Sequence, residues 1–158
     1  MTASLPTQSQ LAFVFPGQGS QSLGMLGELA ALDPVVQAAF AEASEGAGVD
    51  LWTLSQNGPE ERLNQTEFTQ PALLAAGVAA WRLWNERGGT RPAQLAGHSL
   101  GEYAALVAAG ALSLEDGAHL VNTNHADILA LAKRFDIGLI DRGAMVTHEV
   151  FVVDGKAV

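Results

Sequence analysis

The segment GHSLG at residues 97–101 constrains the fold of this chain more than any other stretch. It follows Gln94-Leu95-Ala96, which can finish a buried strand, and it precedes residues 102–109, which can form a helix. A serine at such a bend occupies a strained turn, and glycines two residues to either side keep the turn clear of the neighbouring strand and helix. The pattern predicts a nucleophile elbow with Ser99 as the nucleophile, and a tight turn holding an ordinary serine is the alternative.

An elbow of this kind also predicts a site for a developing negative charge. The helix after the serine would direct its first N–H groups, beginning with that of Leu100, toward the reacting carbon. The loop FPGQGSQ at 15–21 could supply a second backbone donor, because the carboxyl-end loops of parallel strands meet at one edge of a sheet. A dinucleotide loop is disfavoured, since Ser22 stands where the third glycine would be, and a plain glycine-rich turn is the remaining alternative.

The order of strand and helix signals predicts an α/β protein with a parallel sheet. The continuous apolar run at 11–15 indicates a strand buried on both faces. Proline or capping signals predict three helix starts, at Asp33-Pro34, at Pro71 and at Ser113. Glycines predict the ends of the first two of these helices, at Gly46 with Gly48 and at Gly88 with Gly89.

Composition narrows the class of protein. The chain has 158 residues, 48% of them hydrophobic, which suits one globular domain with a core. The absence of cysteine excludes disulfides, thiolate metal ligands and a thiol nucleophile. A net charge of −9 disfavours nucleic acid and anionic membranes as partners. Because the first residues carry no basic signal and the longest apolar run, 71–81, is too short to cross a bilayer, we expect a cytoplasmic protein.

Three stretches together resemble a known family: AFVFPGQGSQSLGML, DLWTLSQNGPEERLNQTEFTQPALLAAGVAAWRLW and AGHSLGEYAALVAAGALSLEDGAHLV. In order and spacing, residues 11–121 are similar to the N-terminal part of malonyl-CoA:acyl carrier protein transacylase, the acyltransferase of bacterial fatty-acid synthesis. The resemblance implies a hydrolase-like α/β domain, malonyl-CoA and acyl carrier protein as substrates, an acyl-serine intermediate, and neither cofactor nor metal.

The resemblance also implies roles for particular residues. Ser99 would be the catalytic nucleophile, and Gln18 and Leu100 match the positions whose backbone N–H groups form the family's oxyanion hole. Gln70 matches a glutamine near the acyl pocket. His98 precedes the nucleophile in the family too, and we expect it to contact substrate rather than to act as the base.

After Val121 the sequence departs from the family pattern. Asn124 stands where the resemblance calls for an arginine that grips the malonate carboxylate, and Arg134 and Arg142 are the nearest substitutes. No histidine matches the family's catalytic base, although His125 or His148 could by geometry reach Ser99. The family's small ferredoxin-like subdomain is not recognisable.

We therefore divide the chain into the N-terminal part of an acyltransferase domain at 1–121 and an unassigned tail at 122–158. The tail pattern predicts a helix at 126–135, a strand at 137–140 and a hairpin whose turn is Asp154-Gly155. An incomplete large domain should also leave apolar surface exposed, which predicts self-association.

Three hypotheses on function follow from these patterns. The first is transfer of a malonyl group from coenzyme A to acyl carrier protein through an acyl-serine, with this chain as an incomplete copy of the enzyme. The second is a serine esterase whose base comes from the tail. The third is a non-catalytic remnant that binds acyl-CoA.

Overall fold

The structure, a computed structural model, describes residues 11–121 and 151–154. In chain order its elements are β1 (Ala12–Phe15), α1 (Gly27–Leu32), α2 (Val35–Ala47), α3 (Leu51–Asn57), α4 (Glu60–Leu63), α5 (Thr66–Glu86), β2 (Gln94–Gly97), α6 (Gly101–Ala108), α7 (Leu114–Val121) and β3 (Phe151–Asp154). The predicted α/β class is confirmed. The three short helices α1, α3 and α4 were not predicted, because so few turns do not establish a periodic pattern.

The strands form one sheet in the order β1-β2-β3. β1 and β2 run parallel, with Ala12 opposite Gln94 and Phe15 opposite Gly97, which confirms the predicted parallel pair. β3 lies antiparallel on the other side of β2. This third strand comes from the segment for which the sequence predicts a hairpin. Three of the predicted features lie outside the described residues: Gly155 of the turn, the helix at 126–135 and the strand at 137–140.

β1 is covered on one face only. Phe15 is 1% exposed, and the Phe13 ring lies 5.2 Å from that of Trp81 in α5. Val14 points to the opposite face and is 65% exposed. The prediction of a strand buried on both faces is therefore wrong, because side chains alternate across a strand and the face that carries Val14 is open.

α2 begins as predicted and ends at Gly48, one of the two glycines predicted to close it. The Asp33 carboxylate accepts a hydrogen bond from the Val35 N–H at 3.1 Å, and Gly48 ends the helix with a φ of 67°. Gly46 lies inside α2 and does not end it. A Cβ at Gly46 would overlap the Glu115 carbonyl of α7, so this glycine permits the close approach of the two helices.

α5 begins at Thr66, earlier than the start predicted at Pro71. Pro71 lies inside the helix, where it lacks the N–H that would bond the Glu67 carbonyl. The turn before it is held locally by a hydrogen bond from the buried Thr69 hydroxyl to the carbonyl oxygen of Leu63, and Pro71 itself is packed in the core with less than 2% exposure. Packing has therefore overridden the local signal that proline gives.

α2, α5 and α7 enclose the centre of the core. Its most buried large side chains include Val36, Phe40, Leu74, Val78 and Leu114. α7 starts as predicted, because the Ser113 hydroxyl accepts a hydrogen bond from the Asp116 N–H at 3.0 Å. Among the described residues, none of the helices combines the length and apolar character needed to cross a bilayer.

Candidate active site

Ser99 lies in the bend between β2, which ends at Gly97, and α6, which begins at Gly101. Its φ is 54°, in the left-handed region that few non-glycine residues adopt. The bend is tied to β1, because the His98 N–H donates to the Phe15 carbonyl at 3.2 Å, and it is closed by the Gly101 N–H, which donates to the His98 carbonyl at 2.9 Å. The Ser99 side chain is exposed. The geometry is that of a strained strand-to-helix elbow with an accessible hydroxyl.

Gly97 and Gly101 leave no room for a side chain. A Cβ on Gly97 would overlap the carbonyl of Gly101, and a Cβ on Gly101 would overlap the carbonyl of Phe15. Both obstacles are backbone atoms, so no change of rotamer could relieve them. The two glycines therefore let β1 and α6 approach each other closely around Ser99, which is the role that the GHSLG pattern predicts.

Leu100 connects the elbow to α6. Its φ of −51° and ψ of −36° are already helical, and its side chain is 5% exposed, which anchors the start of the helix in the core. Within the described ranges its N–H donates to no other group. The N–H groups and positive dipole end of α6 thus adjoin Ser99, and such an arrangement stabilises negative charge.

The loop after β1 lies against the elbow at Gly17. A Cβ built on Gly17 would lie 2.9 Å from the His98 carbonyl oxygen and 3.7 Å from Ser99 Cβ. Gln18 follows directly, and its side-chain Nε2 donates to Thr66 Oγ1 at 3.2 Å. The Gln18 backbone N–H has no acceptor in the part of the chain that the structure describes.

Gln70 and His98 lie near this loop, Gln70 on α5 and His98 on the elbow. Gln70 is half-buried on α5, one turn after Thr66, and residues four apart share a helix face. Gln70 therefore lies on the helix face that contacts Gln18. His98 is exposed, and its Nδ1 lies 3.0 Å from the point that a Cβ of Gly17 would occupy, so its ring is directed at the loop.

No basic side chain is hydrogen-bonded to Ser99 within residues 11–121 and 151–154. The hydroxyl of Ser99 forms no hydrogen bond there. His119 is exposed in the last turn of α7, while His125 and His148, the bases considered from the sequence, lie outside the described residues. The described elements therefore present an exposed serine beside two backbone N–H groups that have no acceptor there, and no basic side chain is hydrogen-bonded to that serine.

The sequence analysis missed the side chains that hold the loop. Gln18 bonds to Thr66 across 48 residues, and Gln21 bonds to Asn64 across 43 residues. Exposed polar residues this far apart form no local pattern, so no sequence signal could have paired them. No cluster of side chains suited to a metal ion occurs among the described residues.

Comparison with known proteins places this geometry in context. The acyl transferase domain family matches residues 12–133. The malonyl CoA-acyl carrier protein transacylase of Salmonella typhimurium is 61% identical over 113 residues, which are 72% of this chain and 37% of that protein.

Solved structures are similar over the same part. The malonyl-CoA:acyl carrier protein transacylase of Xanthomonas oryzae pv. oryzae is 77% identical with a TM-score of 0.72, over 73% of this chain and 37% of that one. A malonyl-transacylase in complex with its type II PKS acyl-carrier protein is 60% identical with a TM-score of 0.70, over 72% of this chain and 37% of that one. The chain thus spans 37% of the length of each of these three relatives.

Proposed function

The chain belongs to the malonyl-CoA:acyl carrier protein transacylase family, and on this basis we propose that Ser99 accepts a malonyl group from coenzyme A and passes it to the thiol of acyl carrier protein. One observation carries the proposal: an exposed serine held at a φ of 54° between a strand and a helix, with the Gly17 loop packed against it. Strained non-glycine backbone at an accessible nucleophile is typical of active sites.

In the first step, Ser99 Oγ attacks the thioester carbon of malonyl-CoA. The C–S bond breaks, coenzyme A leaves as the thiol after protonation, and the serine proton passes to a base. In the second step, the phosphopantetheine thiol attacks the serine ester, the C–O bond breaks, and the proton returns to Ser99 Oγ. The carrier protein leaves with the malonyl group as a thioester.

Both steps pass through a tetrahedral oxyanion. We propose that the Leu100 and Gln18 N–H groups bind it, because both lie on segments that adjoin Ser99 and neither donates to another described group. Removing one oxyanion donor in a comparable acyl-transfer site lowers the rate by about 10²–10³-fold. Gln70, which shares a helix face with Thr66, and His98, which lies over Gly17, would contact the acyl group and the pantetheine arm from the loop side.

Acylation of Ser99 is the first test. Incubation with malonyl-CoA followed by intact mass analysis should give one malonyl adduct, and peptide mapping should assign it to Ser99. The Ser99→Ala variant should form no adduct, whereas Ser22→Ala, a matched control at an exposed loop serine, should be labelled as the parent chain is. An adduct on any other residue would contradict the assignment.

Transfer to the carrier protein tests the complete reaction. Since no described basic side chain is hydrogen-bonded to Ser99, we expect the 158-residue chain to transfer labelled malonyl groups slowly. Loss of one member of a nucleophile–base pair lowers rates by about 10⁴–10⁶-fold in serine proteases. Rapid transfer that also falls in His125→Ala or His148→Ala would show that the segment after Val121 supplies a base. Turnover of simple esters without transfer would favour the esterase, and neither reaction would favour the non-catalytic remnant.

Acyl selectivity depends on the carboxylate contact. Because Asn124 replaces the arginine that the family pattern calls for, we expect loss of a charge-assisted contact of about 1.5–3 kcal/mol. Competition between malonyl-CoA and acetyl-CoA for Ser99 should then show only a slight malonyl preference. A strong preference would mean that another cationic group binds the carboxylate.

The finer domain assignment is also a proposal. We propose that 1–121 is the N-terminal part of a hydrolase-like large domain, and that the ferredoxin-like subdomain and the remainder of the large domain correspond to parts of the relatives that this chain does not match. The exposed Val14 on β1 supports self-association of the 158-residue chain through this face. A monomeric elution volume that Val14→Lys leaves unchanged would contradict it.

A further inference from the structure

The loop between β1 and α1 contains a side chain that bonds in two directions. Gln21 Oε1 accepts a hydrogen bond from the Gly19 backbone N–H at 2.9 Å, and Gln21 Nε2 donates to Asn64 Oδ1 at 2.8 Å. Gly19 has a φ of 105°, which only glycine adopts readily. Because glycine adopts positive and negative φ about equally well, its backbone preference alone does not keep the loop in this conformation. The Gln21 amide therefore links the middle of the loop to the segment between α4 and α5.

The chemistry of the amide fixes its orientation in this bridge. The backbone N–H of Gly19 can only donate, so it must face the oxygen of Gln21 rather than its nitrogen. The Gln21 nitrogen then faces Asn64 as a donor and requires an acceptor there. An aspartate at position 64 would satisfy the bridge, and an apolar side chain of the same size would not.

Other hydrogen bonds hold the two ends of the loop, whereas the Gly19 N–H is bonded by Gln21. The Ser20 hydroxyl donates to the Gly17 carbonyl at 3.0 Å within the loop itself. The end of the loop is tied to α3, where the Gly24 N–H donates to the Ser55 carbonyl at 2.9 Å. Between these points, Gln18 and Gln21 provide the side-chain hydrogen bonds from the loop to the segment around Thr66.

We propose that Gln21 and Asn64 are positioning residues that hold the Gln18 N–H in place as an oxyanion donor. The inference rests on the proposed function, because it assumes that Ser99 is acylated. Gln21 and Asn64 act through the backbone, because they fix the Gly19 N–H and Gln18 is the residue directly before Gly19. The side chain of Gln18 bonds to Thr66. With both of these contacts in place, the backbone N–H of Gln18 keeps its direction.

The first experiment measures the bridge without any reaction. Amide hydrogen exchange of the Gly19 N–H should be at least about tenfold faster in Asn64→Leu than in the parent chain, since the Gln21 acceptor is no longer held. Asn64→Asp should exchange like the parent chain. Gln65→Ala, at the exposed neighbouring position, is the control and should change nothing at Gly19.

The second experiment measures the single-turnover rate of Ser99 acylation at saturating malonyl-CoA. A loosened donor loses part of the 10²–10³-fold effect of a full donor, so we expect Asn64→Leu and Gln21→Ala each to slow acylation about tenfold. The double variant should be no slower than either single variant, because both break the same bridge. The half-saturating malonyl-CoA concentration should not change, and Asn64→Asp should restore the rate.

The two experiments separate the possible failures. If the parent chain forms no acyl-serine, the proposed function fails. The exchange experiment does not depend on acylation, so unchanged Gly19 exchange in Asn64→Leu would refute the bridge in either case. If the parent chain is acylated and Asn64→Leu acylates at the same rate, the positioning role is refuted while the proposed function stands. Additive losses in the double variant would likewise refute a shared bridge.

Discussion

Replacing Ser99 by glycine should make the fold more stable while abolishing acylation. The φ of 54° places a serine in the left-handed region, which costs an L-residue with a Cβ about 1–2 kcal/mol relative to glycine. Glycine also gives the unfolded chain more freedom, which offsets about 0.4–1 kcal/mol of that gain. The difference leaves a net stabilisation of about 0.5–1 kcal/mol.

The matched comparison is Ser99→Ala, because both variants lack the hydroxyl and only one keeps the Cβ. The Ser99 side chain is exposed and makes no hydrogen bond among the described residues, so Ser99→Ala should unfold close to the parent chain. Urea unfolding followed by circular dichroism gives the free energy of unfolding for each variant, provided that one cooperative transition is seen.

Ser99→Gly should then exceed Ser99→Ala in stability by about 0.5–1 kcal/mol, or about 1–4 °C in thermal midpoint for a chain of this size. Equal stabilities, or a less stable glycine variant, would refute the view that the elbow stores backbone strain at the nucleophile. Loss of acylation in both variants, together with increased stability in one, would tie that strain to function.

Three further predictions concern stability. Gly97→Ala should lower the free energy of unfolding by about 3 kcal/mol or more, because its Cβ would overlap backbone atoms of α6. Gly110→Ala, which has open space around it and a φ of 77°, should lower it by only about 1–2 kcal/mol. Urea unfolding measures both values, and equal losses would contradict the steric argument. Ser55→Ala should leave the free energy of unfolding unchanged or raise it by up to about 1 kcal/mol, because the buried Ser55 hydroxyl has no hydrogen-bond partner among the described residues. A clear fall in the free energy of unfolding would show that the hydroxyl has a partner. The Thr53 side chain and N–H hold the pKa of Asp50 below its ordinary value, so the stability that Asp50 contributes is present above the unfolded-state pKa and is lost as pH falls through the folded-state pKa. Thermal midpoints of the parent chain and Asp50→Ala should therefore differ at pH 6, and the difference should begin to shrink as pH falls below about 4. A constant difference down to about pH 2 would count against this carboxylate as the cause.

Local sequence patterns were sufficient for much of the fold. The apolar run before Pro16 and the segment 94–96 before Gly97 predicted both parallel strands, and the Asp33 and Ser113 signals predicted the starts of α2 and α7. These features are local, because a cap or a short buried run is decided by residues within one or two turns of each other. The resemblance to the transacylases rested on the same stretches, and family membership is confirmed.

For the candidate site, the sequence by itself predicted the elbow at Ser99, because an elbow requires small residues at fixed spacing. It also predicted the loop at 15–21 beside the elbow, because the carboxyl ends of parallel strands meet at one edge of a sheet. Tertiary structure decided the rest. It set which face of β1 is covered, it let α5 continue through Pro71, and it brought β3 beside β2 from the distant end of the chain. It also paired Gln21 with Asn64 across 43 residues. Such contacts depend on how whole elements pack, and neither partner's local sequence specifies the other.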